Sequence, residues 1–262
     1  MNAALRLARG LKDPGIWQGM VSLGALFGLW QAAGTFHVGA LGDIPTPMDV
    51  GRALLEAAGT SKYWWNWAVS GQRVGLGFLA GTLVGVPVGL ALGISRTLRG
   101  IVFPVMETVR PVPPLAWVPL SILFWPTLEL SITFVIFLGS FFAVALNVLG
   151  GVEAIEPSLL RAALSMGARP RHIFWRIVLP ATIPAIVTGM ALGIGLTWEI
   201  VVAAEMIAGK TGLGYLAWEG FVNGSLVSIL VAMLSIGVAG FLSCSLIWAF
   251  GRRATPWLKK MP

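Results

Sequence analysis

Six stretches of this chain lack Asp, Glu, Lys and Arg for 18 residues or more: Pro14–Gly42, Val74–Ser95, Pro111–Leu128, Leu130–Val152, Ile177–Trp198 and Gly220–Gly251. A helix needs about 20 mostly apolar residues to cross a bilayer. The pattern therefore predicts an all-α, polytopic membrane protein with six transmembrane helices, read as one domain over 1–262. The first helix is placed at 16–36, a five-helix core at 74–250, and a polar loop at 153–180. Arg6, Arg9 and Lys12 precede the first stretch in the manner of a signal peptide. Its apolar part exceeds the roughly 7–15 residues of a signal core, so it is read as a retained helix.

The third stretch is irregular. Ile101–Met106 is apolar, Glu107 and Arg110 interrupt, and Pro111, Pro113 and Pro114 follow. Each proline removes a backbone donor and restricts the residue before it. A helix starting near Ile101 is expected to break around 111–114 and resume through Trp117–Trp125. Broken backbone at membrane depth survives only where protein or a water-filled cavity surrounds it, which places this segment inside the bundle.

Composition agrees: 56% of the residues are hydrophobic and only 11% charged, against roughly a quarter charged in soluble domains. The net charge of +7 would raise nucleic acid as a partner in a soluble protein. Here the charges sit in short clusters between apolar stretches, so membrane lipid is the expected partner and nucleic acid is not. With the N-terminus inside, thirteen basic residues fall on the inner side (Arg6, Arg9, Lys12, Arg96, Arg99, Arg161, Arg169, Arg171, Arg176, Arg252, Arg253, Lys259, Lys260) and four on the outer (Arg52, Lys62, Arg73, Lys210). That bias predicts cytoplasmic termini. One cysteine, Cys244 in an apolar run, permits neither an intrachain disulfide nor a thiolate zinc site.

The inner loop carries the most information. Pro157 is placed to open a short helix, Gly167 to end it, and a second piece to run from Pro170 toward Pro180. On composition, such an elbow with basic side chains either lies on the membrane surface or fits another protein's groove. Its order is Ala162-Ala163, three residues, Gly167, nine residues, Ile177, one residue, Leu179-Pro180. This resembles the EAA loop of ABC-importer permeases, with Arg161 standing where that motif has Glu. Arg96–Ile101, Arg110–Pro119, Val202–Met206, Gly212–Gly214 and Thr255–Trp257 are similar to the taurine/alkanesulfonate branch, whose neighbours carry nitrate and bicarbonate.

The resemblance implies an ABC type I importer permease fold in a bacterial inner membrane. It further implies two permease copies forming the pathway as a homodimer, two cytoplasmic ATPase subunits on the loops, and an extracytoplasmic substrate-binding protein. No cofactor is expected in this chain; ATP and Mg belong to the ATPase. The residues carried over for ATPase coupling are Pro157, Arg161, Ala162, Ala163, Leu164, Gly167, Ala168, Ile177, Leu179 and Pro180.

For the translocation pathway the candidates are Glu107, Arg110, Pro113, Pro114, Trp117, Trp198, Glu199 and Glu205. Ionisable groups near the membrane interior usually face a cavity or each other. Arg110 is thus either an ion-pair partner of Glu107 or Glu205, or a cation lining a small-anion route. Glu199 departs from the related permeases, which are expected to have a small or apolar residue after Trp198.

Other signals weigh less. Ala204–Thr211 fits a loose nucleotide-binding pattern, yet a phosphate loop needs a strand before it and a helix after it, and a membrane span precedes this one. Tyr63, Trp64, Trp65 and Trp67 suit an interfacial belt. His37 and His172 lack acidic or thiol company and indicate no metal site. Gly77, Gly81, Gly85, Gly89 and Gly93 recur every fourth residue, as for close helix packing. A secondary transporter would show two related halves with paired broken helices, and only one break is present.

Overall fold

The computed structural model describes residues 14–36 and 44–257. Arg6, Arg9, Lys12, His37, Lys259 and Lys260 lie outside the described residues. Ten helices are present among the described residues, and no strand: α1 (Pro14–Thr35), α2 (Pro47–Ala58), α3 (Ser61–Ile94), α4 (Arg96–Val109), α5 (Val118–Phe124), α6 (Leu128–Glu153), α7 (Pro157–Ser165), α8 (Pro170–Ala208), α9 (Leu213–Val222) and α10 (Leu226–Ala254). Four of them, α3, α6, α8 and α10, are long and apolar enough to cross a membrane. The two remaining expected spans fall on α1, of 22 residues, and on the broken stretch of α4 and α5.

The bundle is organised around α6, with α3 on one side and α8 on the other. Val135, Ile136, Val144 and Val148 of α6 are fully buried, and Val74, Phe78, Ile194, Trp198 and Val201 close the core around its first half. The glycine stripe explains how α3 gets so close. A Cβ on Gly77 would lie 2.5 Å from Ile136, one on Gly89 2.5 Å from the Ala145 carbonyl, and one on Gly81 would coincide with the Ser140 side chain. Without those methyl groups the backbones approach, and Ser140 Oγ donates to the Gly77 carbonyl at 3.2 Å.

Several boundaries differ from the apolar stretches. The second span begins at Ser61 rather than Val74, so Lys62, the aromatic cluster and Arg73 all belong to α3. A charge interrupts hydropathy without interrupting a helix when the helix buries and pairs it. The fifth span begins at Pro170 rather than Ile177. Pro180 cannot donate a hydrogen bond, and the helix accommodates it by widening over Phe174–Val178, where the Leu179 amide reaches back to the Phe174 carbonyl. The last span begins at Leu226, and Gly220 lies in the separate α9, closed off by Gly224 at φ +67°.

The break after α4 falls where the prolines predict, with Pro113 in the turn and Pro114–Trp117 forming one tight helical turn before α5. This segment is not enclosed, contrary to the expectation of an interior position. Val118 and Ser121 pack on α6, but Leu123 is 83% exposed and Phe124 faces outward with it. Pro114–Phe124 is 11 residues, about 16 Å of helix, too short to span alone.

Candidate functional site

Three arrangements bring the chemistry-bearing residues together: an elbow at one end of the bundle, a cavity at mid-depth, and a buried ionic cluster at the other end.

At the elbow, Pro157 occupies the first turn of α7, and the helix ends in a double hydrogen bond. The Gly167 amide donates to the Leu164 carbonyl at 2.9 Å and the Ala168 amide to the Ala163 carbonyl at 3.0 Å. That pairing requires a left-handed residue at the first position past the helix, and Gly167 has φ +79°. α7 is held by the buried Ala163, while Arg161, Ala162, Leu164 and Met166 point outward, Met166 being 82% exposed. The chain then turns into α8, whose widened segment holds Ile177. Leu179 packs beside Leu90, Val144 and Val148, so the elbow is seated directly on the core. Arg99 of α4 and Glu153 at the end of α6 form an ion pair at this same end.

The cavity, of about 650 Å³, is bordered by α6, α8 and the broken segment. Pro114 and Ile200 both approach α6 at Gly139, where a side chain would displace Ile200 and touch Pro114. Of the expected pathway residues, Arg110, Pro114, Trp117 and Glu199 line this cavity together. Glu107 stands beside it, paired with Arg110 at 3.3 Å, both half-exposed. Asn147, absent from the sequence candidates, lines the cavity about 12 Å further along α6, eight residues at 1.5 Å each. Leu146 and Asn147 also border a second recess with Gly150 and Gly151. The two hollows share Leu146 and Asn147 and follow one another along α6 and α8.

Trp198 and Glu205 do not join them. Trp198 is buried on the far side of α8 and donates from Nε1 to Ser243 Oγ at 3.2 Å. Glu205 is 0% exposed. Its partner is neither Glu107's neighbour Arg110 nor solvent but Arg73, whose Nη1 donates to Glu205 Oε1 at 2.8 Å and to the Thr211 carbonyl at 2.7 Å. Nε and Nη2 of Arg73 clamp Glu129 at 2.7 and 2.5 Å. Burying an unpaired charge is prohibitive; here each of the two deeply buried groups has several partners.

The same cluster starts α9. The first amides of a helix have no partner within it. Gly212 N donates to Asn66 Oδ1 at 2.9 Å, Leu213 N to Ser70 Oγ at 2.8 Å, and Gly214 N to Glu205 Oε2 at 2.9 Å. Ser70 Oγ in turn donates to Glu205. The carboxylate thus sits at the positive end of the α9 dipole. Gly212, at φ +121°, adopts a conformation a side chain resists, and a Cβ there would strike the Glu205 carboxylate. Asn66, Ser70 and Glu129 are not among the residues that the sequence singles out, and Arg73 enters there only as an outer basic residue. A helical spacing of 66, 70 and 73 inside a hydrophobic stretch was the available signal.

The nucleotide-like pattern at 204–211 lies on the last turns of α8 and the turn after it. A helix precedes it where a phosphate loop needs a strand, and its glutamate and the Thr211 carbonyl are committed to Arg73. No group of three or more His, Cys, Asp or Glu residues is placed to hold a metal among the described residues.

Comparison with known proteins agrees with this architecture. The chain is 35% identical over 241 residues to the taurine transport system permease protein TauC of Escherichia coli K12, covering 90% of this chain and 88% of the relative. It is 30% identical over 236 residues to the nitrate import permease protein NrtB of Leptolyngbya laminosa, covering 88% and 85%. In fold it is similar to the inward-facing MetNI methionine ABC transporter, with a TM-score of 0.61 at 19% identity over 73% of this chain and 94% of that one. Residues 81–260 match the family model for the inner membrane component of binding-protein-dependent transport systems. The chain belongs to that family: it is a multi-pass inner-membrane permease subunit of an ABC importer.

Proposed function

We propose that two copies of this chain form the pathway of an importer for a small organic oxyanion of the sulfonate class, powered by two separate cytoplasmic ATPases that bind ATP and Mg. On this reading the elbow end and both termini face the cytoplasm, and an extracytoplasmic binding protein delivers the solute at the α9 end. The exposed apolar patch of Leu164 and Met166 on a rigidly capped α7 is the observation that carries it. An apolar knob seated on the core transmits a push from an ATPase groove into α8, whereas a surface-lying segment would have no need of so firm an attachment.

On this reading the second copy covers the outward-facing side of α5, where Leu123 and Phe124 are exposed. The taurine system is favoured by the stronger likeness to TauC than to NrtB. A nitrate pathway is the second reading, supported by that NrtB likeness. Co-expression with the partner ATPase, followed by purification and reconstitution with the binding protein, tests the proposal. ATP-dependent uptake of a sulfonate by a complex with two copies of this chain is the expected result. A single copy beside a different membrane subunit would replace the homodimer by a heterodimer.

A further inference from the structure

One face of α10 changes character half-way along the helix, which is the least buried of the four membrane-length helices. Residues three and four apart share a helix face, so Ser235, Ala239, Leu242, Leu246, Phe250 and Arg253 form one stripe. Its first part is covered: Ser235 Oγ meets the Tyr63 hydroxyl at 2.7 Å, and Ala239 lies in the core. From Leu242 onward it is bare, with Leu242, Leu246 and Phe250 all more than half exposed. Leu242 to Arg253 is about 16 Å of helix, eleven residues at 1.5 Å each, close to the roughly 15 Å of one leaflet of the hydrocarbon core. The stripe ends on charge. Arg252 and Arg253 are exposed and enter no ion pair among the described residues, and Trp257 is exposed just beyond them. Of the thirteen basic residues assigned to this end, the eight arginines from Arg96 to Arg253 are described; the glutamates there are Glu153 and Glu156, and Glu153 is already paired with Arg99. Basic residues in a last turn answer the helix dipole, which accounts for charge at this position but not for the bare apolar stripe that leads to it.

We propose that this half of α10 binds an anionic phospholipid of the leaflet on the elbow side. An acyl chain lies along Leu242, Leu246 and Phe250, the phosphate is held by Arg253 and Arg252, and Trp257 sits at headgroup level. Guanidinium forks match phosphate oxygens in pairs, and tryptophan rings favour the membrane interface. A cytoplasmic protein reaches the arginines but not the stripe, which runs a leaflet deep. Gly251, next to the arginines, is pressed against Val187 of α8 with no room for a Cβ between them. A lipid held here therefore braces the end of α10 against the helix that carries the elbow. The inference needs the chain to lie in a membrane and nothing of the transport cycle, so it stands or falls apart from the importer reading.

The full chain, purified in detergent, is titrated with phosphatidylglycerol, with phosphatidylcholine of the same chains and with glycerol phosphate, and its thermal unfolding is followed. A ligand of the folded state raises the apparent Tm with concentration. Phosphatidylglycerol should reach half of its full stabilisation at a concentration about tenfold or more below that of phosphatidylcholine, and glycerol phosphate should have no effect. In the double variant Arg252→Gln, Arg253→Gln the half-point for phosphatidylglycerol should rise about thirtyfold, two cations at about 1 kcal/mol each, and Leu246→Gln should raise it severalfold. Arg169→Gln, Arg171→Gln removes two arginines that lie about 24 Å or more along α8 from Val187, and should shift the half-point less than about threefold. A shift below about threefold in the α10 double variant, or equal shifts in the two pairs, overturns the site. So does an α10 variant that cannot be purified folded, which would make the arginines a structural cap. Stabilisation by glycerol phosphate alone also overturns it, leaving a site for a free phosphate in place of a lipid.

Discussion

Replacing Arg73 by Met removes the one cation that, among the described residues, pairs with the fully buried Glu205. Glu205 would keep Ser70 Oγ and the Gly214 amide as donors but lose its ion-pair partner, and the Thr211 carbonyl would lose its donor. Breaking a buried pair from one side costs roughly 3–5 kcal/mol because the remaining charge is uncompensated. Glu129 adds little, since its side chain is 61% exposed and its released carboxylate returns to solvent at a cost of about 1 kcal/mol or less. At roughly 2–4 °C per kcal/mol for a chain of this size, the apparent Tm of the purified subunit should fall by on the order of 10 °C. The double variant Arg73→Met, Glu205→Gln should regain at least half of that loss, because a neutral amide still accepts from Gly214 and no longer needs a cation. Thermal unfolding of the three variants in detergent, with Glu129→Gln alongside, makes the comparison. A fall below about 3 °C for Arg73→Met, or no recovery in the double variant, would show that the cluster is not held by this pair.

Arg110→Gln should behave in the opposite way: its pair with Glu107 is half-exposed and contributes about 0–1 kcal/mol, so the yield of assembled complex should stay near native while sulfonate uptake falls severalfold. Gly167→Val should lower substrate-stimulated ATP hydrolysis and uptake, since a left-handed backbone costs a residue with a Cβ roughly 1–2 kcal/mol and nothing else crowds the position. Gly167→Asn, which tolerates that conformation, should be much milder, and equal effects in the two would place the defect elsewhere. Gly81→Ala should destabilise by roughly 1–3 kcal/mol through overpacking against Ser140 and Phe141. Gly75→Ala on the open side of the same helix should be neutral or slightly stabilising, as read from the two melting temperatures.

What could be read from the chain alone was whatever depends on local spacing. Gly167, the break at 111–114 and the close packing of the Gly77–Gly93 stripe follow from the conformational limits of glycine and proline, and all three stand where expected. Arg73 was set in an outer loop because a charge ends an apolar run by definition. Its neutralisation comes from Glu129 and Glu205, 56 and 132 residues away, and no window of hydropathy reaches that far. For the same reason Glu205 was offered to Arg110, the nearest cation along the sequence among the pathway candidates. The cavity was half legible: Arg110, Pro114, Trp117 and Glu199 announce themselves by charge, ring or break. The polar wall at Asn147 does not, because one amide in an apolar helix has no pattern.

The seam between α3 and α6 bears on how the subunit can move. From Gly77 to Gly93 the seam leaves little or no room for a methyl group on every fourth residue of α3, and each of these glycines packs against a residue of α6, ending with Gly93 against Val152. Two helices meshed this tightly over some 24 Å of axis cannot slide or twist against each other without lifting apart along the whole seam. They travel as a single rigid strut. Any change of shape that opens one end of the subunit and closes the other has to be taken up at its edges: at the widened turn of α8 beside the elbow, and at the proline-broken joint between α4 and α5.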